Sequence, residues 1–282
     1  VDINQTIEPA PNATRRSGAP RAGTTALHFA VGNAHYDLAS FLLDAGANPN
    51  AAANGWTALH SITGVRKPGG GDNNPAPYGS GSLTSLDMVR KLAAKGADLN
   101  ARLTRKINVG LTALNTNGAT AYLLAARTGD AELLRLLKQL GADPTIPTVD
   151  GATPIIAAAG LGTRSPGEDA GTDEEVVEAL KVLLEHGADI NHVDNNGETA
   201  MHGAAYKNLP GAVRFLATHG AKAEVWNKPN RNGWTPLGIA QGYRFGNFKP
   251  SPPTEQAIRE ALAAAGVEPA PSRRSNRSDY VP

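Results

Sequence analysis

The sequence predicts an all-α solenoid of stacked helix-turn-helix units with short β-turn fingers, and three observations predict it. A phrase of Gly, a variable residue, Thr, a small residue or Pro, and an apolar residue recurs at Gly23, Gly55, Gly118, Gly151, Gly197 and Gly233. A Gly-Ala or Gly-Val pair ends an apolar helix-like run at Gly46, Gly96, Gly141, Gly187, Gly220 and Gly266. The shorter gaps between opening glycines lie close to 33 residues. A fixed period of this length means that each unit buries its apolar face on its neighbours, in one elongated stack.

Each element of the unit has a local reason. Thr at the third position is a good helix N-cap, and Pro154 and Pro236 sit where a first-turn Pro is tolerated. A short Ala/Leu-rich helix follows, as over 26–31 or 122–127, and a turn such as Gly32-Asn33 or Thr128-Gly129-Asp130 breaks it. The second helix carries apolar residues at helical spacing, as in Leu133, Leu134, Leu136, Leu137 and Leu140. The closing Gly takes the left-handed conformation that ends it. The Asp/Asn-rich stretch after each Gly-Ala reads as a tight turn into the next unit.

These phrases resemble the ankyrin repeat family. Gly55-Trp56-Thr57-Ala58-Leu59-His60, Gly233-Trp234-Thr235-Pro236-Leu237 and Gly187-Ala188-Asp189-Ile190-Asn191 match its Thr-Pro-Leu-His and Gly-Ala-Asp-x-Asn motifs at most positions. Leu123, Ile156 and Gly238 replace the motif's His. The resemblance divides the chain into a partial preceding repeat and extended finger (1–22), about six repeats (23–266) and an extended C-terminal tail (267–282). Val1-Asp2-Ile3-Asn4 reads as the tail of a further Gly-Ala-Asp-Ile-Asn phrase, so sequence upstream is expected. Insertions lie near 64–82, 160–172 and 242–254, between the helices of units two, four and six, and near 101–117, in a finger. In such a stack fingers project toward the concave side, and helix-to-helix loops are expected on the opposite edge.

Catalytic and metal chemistry find little footing. With no Cys there is no disulfide framework, thiolate metal site or cysteine nucleophile. No His pair has metal spacing, so no metal and no cofactor are expected. The resemblance gives His28, His60 and His202 a structural role, bonding near their own unit's Thr. Gly69-Gly70-Gly71 lacks the Gly-Lys-Ser/Thr ending of a phosphate loop. Glu174, Glu175 and Glu178 follow Thr172, where a helix start accounts for them. No nucleophile elbow signals a Ser/His/Asp triad. The chain is therefore not expected to be an enzyme. With 27 Lys and Arg against 26 Asp and Glu, the net charge of +1 argues against nucleic acid and membrane surfaces as partners. No apolar stretch is long enough to insert into a bilayer.

What remains is binding. The resemblance implies a non-catalytic module that recognises a protein partner on a concave surface of fingers and inner helices. The finger around Arg102, Arg105 and Leu111 is a candidate contact, as are Trp56, Trp226 and Trp234, either packing residues or anchors. The helix-to-helix loops form a second candidate surface: each begins with Gly and soon carries Arg66, Arg164 or Arg244, and two add Tyr78 or Tyr243 and Phe245. The alternative is a structural subunit of a larger homo- or hetero-assembly, docking on copies of itself or on a fixed partner. Pro/Asn-rich loops and the expected upstream sequence lean toward an exported protein over a cytosolic one.

Overall fold

The computed structural model describes residues 2–8, 23–52, 55–69, 75–244 and 249–274. Among the described residues six helix pairs follow one another: α1 (Ala26–Gly32) with α2 (Tyr36–Asp44), α3 (Ala58–Arg66) with α4 (Ser85–Ala94), and α5 (Ala121–Arg127) with α6 (Ala131–Leu140). Then come α7 (Pro154–Ala158) with α8 (Asp173–Glu185), α9 (Ala200–Lys207) with α10 (Pro210–Thr218), and α12 (Pro236–Ala240) with α13 (Pro252–Ala264). A one-turn helix unexpected from the sequence, α11 (Ala223–Trp226), occupies the last finger. The first helices pack in one row, α1 on α3 on α5 on α7 on α9 on α12, and the second helices in another, α2 on α4 on α6 on α8 on α10 on α13. The core is the seam between the rows, filled by Leu, Ala and Val from every unit.

The opening Thr is the N-cap of every first helix. His28, His60 and His202 stand three residues on and return the bond. The ring Nδ1 meets the Thr hydroxyl at 2.8, 3.0 and 3.0 Å. The far nitrogen of His28 faces the Trp56 carbonyl at 3.2 Å, and that of His202 the Lys228 carbonyl at 3.1 Å, tying each cap to the next unit. Glu174 and Glu175 lie in the first turn of α8, and Glu175 closes a capping box with Thr172. The closing glycines adopt positive φ, as at Gly187 (+88°). A Cβ there would meet nothing within 4 Å. Gly187→Ala is therefore expected to cost only backbone strain, about 1 kcal/mol, read as a lowered thermal midpoint.

The Gly-Ala-Asp-x-Asn phrase does two jobs. The Asp side chain accepts from a backbone N–H two residues on, as Asp98 from Asn100 and Asp189 from Asn191, forming the expected turn. The Asn bridges units. Asn50 donates to the Gly96 carbonyl and accepts from the Asp98 N–H, and Asn191 does the same at Gly220 and Lys222. Asn4 bonds identically to Gly46 and Asn48.

Five of the fingers close on the same two backbone bonds among the described residues. Asp194 N–H donates to the Glu198 carbonyl and Gly197 N–H to that of Asp194; Leu103 pairs so with Ala119 and Gly118, and Ile7 with Thr24 and Gly23. One more backbone bond joins successive fingers, from Val149 to Asn117, Asn195 to Asp150 and Arg231 to Asn196. The tail expected after Val267 is extended but docked as far as Arg274. Asn227 clamps Glu268 and Ala270, Ser272 accepts from the Thr235 N–H, and Arg273 donates to the Gly233 carbonyl. The tail thus lies against the last finger, in the place that a next finger would take. Among the described residues no helix is long and apolar enough to cross a membrane.

Candidate partner-binding face

The two insert classes expected on opposite edges meet. The long finger starts beside the N-terminus of α5 and runs its length, so that its tip reaches Arg127 at the far end. Every residue of α5 is buried, as is every residue of α7, α9 and α12. Leu103, Ile107 and Leu114 bury themselves beneath the finger, and Thr116 both accepts from the Ile107 N–H and donates to its carbonyl. The tip joins the insert after α7. Ala113 N–H donates to the Gly162 carbonyl at 2.8 Å and Arg164 N–H to that of Leu111 at 2.7 Å, while Thr112 pairs with Thr163 as an antiparallel bridge.

A buried ion pair locks this junction. Arg127 Nη1 lies 3.0 Å from both carboxylate oxygens of Asp169, and Asp169 Oδ1 also accepts from the Leu111 N–H. Gly110 has φ +63°, and a Cβ there would collide with Asp169 and Arg127. Gly110→Ala is thus expected to cost more than Gly187→Ala in the same thermal measurement, through a clash as well as strain. Lys207 is buried alongside, donating to the Ala170 carbonyl, and desolvation pulls its ammonium down to about 8.

The candidate contact residues divide by environment. Tyr78, Arg102, Arg105 and Arg164 are exposed, Tyr78 at 98%. Arg102 is also a strut, donating to the Gly118 and Pro147 carbonyls. Trp56 and Tyr243 are half-buried, and the Arg274 guanidinium lies 5.2 Å from the Tyr243 ring centre. Arg66 is turned inward. It pairs with Asp130, the N-cap of α6, at 2.6 Å and with Glu132 at 3.0 Å, linking units two and three. Arg244 is buried too, donating to the Thr163 carbonyl at 2.7 Å with its guanidinium 5.3 Å from the Tyr206 ring centre. Trp226 and Trp234 are core residues, at 3% and 4% exposure, so they pack rather than protrude. Phe245 lies outside the described residues.

Two clefts flank the finger. One, of about 520 Å³, lies between Phe29, Trp56, Pro77, Val109 and Arg127. The other, of about 720 Å³, lies between the finger, the insert after α7 and the fingers of units four to six. The residue that sequence reasoning missed is in the second. Glu198 occupies the variable position of its Gly-x-Thr phrase, where the other five units carry Thr, Trp or Ala. It is the one charged residue at that position, a signal available from the sequence. Its Oε1 accepts from the Tyr206 hydroxyl at 3.1 Å and from Asn230 Nδ2 at 2.8 Å. Its Oε2 is buried with no hydrogen-bond partner. Desolvation, helped by the nearby Asp194 charge, pushes the Glu198 carboxyl up to about 8, and burial raises Asp194 as well. Among the described residues no His, Cys, Asp and Glu cluster has the geometry of a metal site.

Comparison with known proteins agrees with this architecture. Family models for ankyrin repeats match residues 4–64 and 170–248, in a three-copy form, and 117–149, as a single repeat. The chain is 29% identical over 252 residues to the B-cell lymphoma 3 protein homolog of Mus musculus, covering 88% of this chain and 45% of that one. It is 28% identical over 219 residues to the ankyrin repeat and SOCS box protein 16 of Homo sapiens, covering 77% and 40%. It thus spans less than half the length of these curated relatives. An ankyrin repeat domain from Acinetobacter baumannii superposes with a TM-score of 0.55 at 23% identity, covering 86% of this chain and 98% of that one. With capped helix pairs in two rows, fingers of one design and matching family models along its length, the chain belongs to the ankyrin repeat family.

Proposed function

We propose that this chain is a non-catalytic module that binds a protein partner on the face made by its fingers, first helices and joined inserts. The observation that carries this reading is the clasp. The long finger and the insert after α7 are held to each other by backbone bonds and by the buried Arg127–Asp169 pair. They carry exposed Arg105 and Arg164 on a surface ordered before any partner arrives, which removes part of the entropy cost of association. Tyr78 and Trp56 extend the same set toward the first units.

The test is capture from native extract, with identification and stoichiometry of what stays bound. A distinct protein at fixed ratio is expected, and Arg105→Glu/Arg164→Glu should lower its recovery about tenfold while leaving the helical spectrum unchanged. Equal recovery by the variant, or recovery only of further copies of this chain, overturns the reading.

A further inference from the structure

The 720 Å³ cleft holds an arrangement that the fold does not need. Asn230 Nδ2 donates to the Tyr206 hydroxyl at 3.1 Å as well as to Glu198 Oε1. The Tyr206 proton must therefore point at Glu198, and Oε1 receives two donors. In the neutral acid Oε1 is then the carbonyl oxygen and Oε2 carries the proton. That hydroxyl is buried and unpartnered, on a residue that lines the cleft. An unmade hydrogen bond at a buried polar group is costly, so its persistence beside an open cleft points to a ligand that completes it.

The charges around the cleft select the ligand. From the long finger comes Lys106, from the insert Arg164, from the last finger Arg231 and from the loop after α12 Arg244. Against them stand Asp150 and Asp194. Asp150 already accepts from Asn115, and Asp194 from the backbone N–H groups of Asn196 and Glu198. With Glu198 neutral the cations are in excess, and a cationic group entering the cleft would be repelled. An anion would be attracted.

We propose that this cleft binds a carboxylate, supplied by an acidic segment of the partner, with the Glu198 carboxyl donating to it and Lys106, Arg164 and Arg231 surrounding it. This rests on the protein-binding reading above and names the chemistry that the partner presents. The O–H to carboxylate bond is charge-assisted and short, the strong kind of hydrogen bond. It exists only while Glu198 keeps its proton. Glu198 titrates near 8, so binding should hold at neutral pH and weaken about tenfold for each pH unit above that value.

The test uses the full chain and rhodamine-labelled hexaglutamate, hexaglutamine and hexalysine peptides, read by fluorescence anisotropy between pH 6 and pH 9. Hexaglutamate should bind at least about tenfold tighter than hexaglutamine, and hexalysine least. Glu198→Ala should weaken hexaglutamate binding about tenfold, leaving only the preference that the surrounding cations supply. Glu198→Gln, which offers a donor that does not titrate, should flatten the fall above pH 8, an outcome unrelated to folding. Displacement by unlabelled succinate at equal concentration would support the carboxylate site and reassign its source to a free acid. Equal binding of hexaglutamate and hexaglutamine, or an unchanged pH profile in Glu198→Gln, overturns the proposal. If hexaglutamate fails while the partner is still captured from extract, the cleft chemistry falls and the protein-binding reading stands.

Discussion

Acidification from pH 6.5 to pH 4 is expected to remove on the order of 3 kcal/mol of stability for each of His60 and His202. Burial lowers both imidazoles to about 4. In the fold they stay neutral down to that value, whereas the unfolded chain takes up their protons below 6.5. Stability is therefore full above 6.5 and falls as the pH drops toward 4. His28 shifts in the same direction. Glu198 works the other way. Its proton is held in the fold and released from the unfolded chain above 4.5, so its share of stability rises on acidification from 8 to 4.5 and offsets one histidine. Urea titrations across this range should show the loss, steeper in Glu198→Gln and shallower in His60→Gln/His202→Gln, where Gln keeps the capping-box geometry. Identical pH profiles for the double variant and the parent would refute the assignment.

Asp169→Ala should be the most damaging single change on the candidate face, at about 3–5 kcal/mol, because it strands the buried Arg127 charge. It also removes the acceptor for the Leu111 N–H, so the finger tip should come loose and the chain beside Lys106 become open to trypsin. Arg127→Leu/Asp169→Leu removes both charges and should recover much of the loss. Urea midpoints and limited proteolysis check both statements. A single variant within about 1 kcal/mol of the parent would show that the pair is not the lock.

The repeat was legible because its phrases are local. Thr caps its own helix, His returns the bond within one turn, and Gly ends the next helix, so sequence neighbours are also partners. The candidate face was less legible. Leu111 meets Asp169 across 58 residues of chain, and Arg244 meets Thr163 across 81, contacts that leave no periodic trace in Gly- and Pro-rich loops. The recurring Arg of the helix-to-helix loops was visible, but nothing local told Arg66 and Arg244, which bind other units, from Arg164, which faces solvent. The same holds at the variable position of the opening phrase. Trp234 there is core, while Glu198 is a buried carboxyl only because Tyr206 and Asn230 converge on it.

Because long and short fingers rest on the same two-bond base, whatever lies between those bonds is a replaceable cassette. A segment of about 14 residues sits on the base of the third unit as readily as a short turn sits on that of the fifth, and doubling such a loop adds only about 0.6 kcal/mol of closure entropy. Evolution or an engineer can therefore exchange the content of one finger without renumbering the helices behind it, and recognition can diverge faster than architecture.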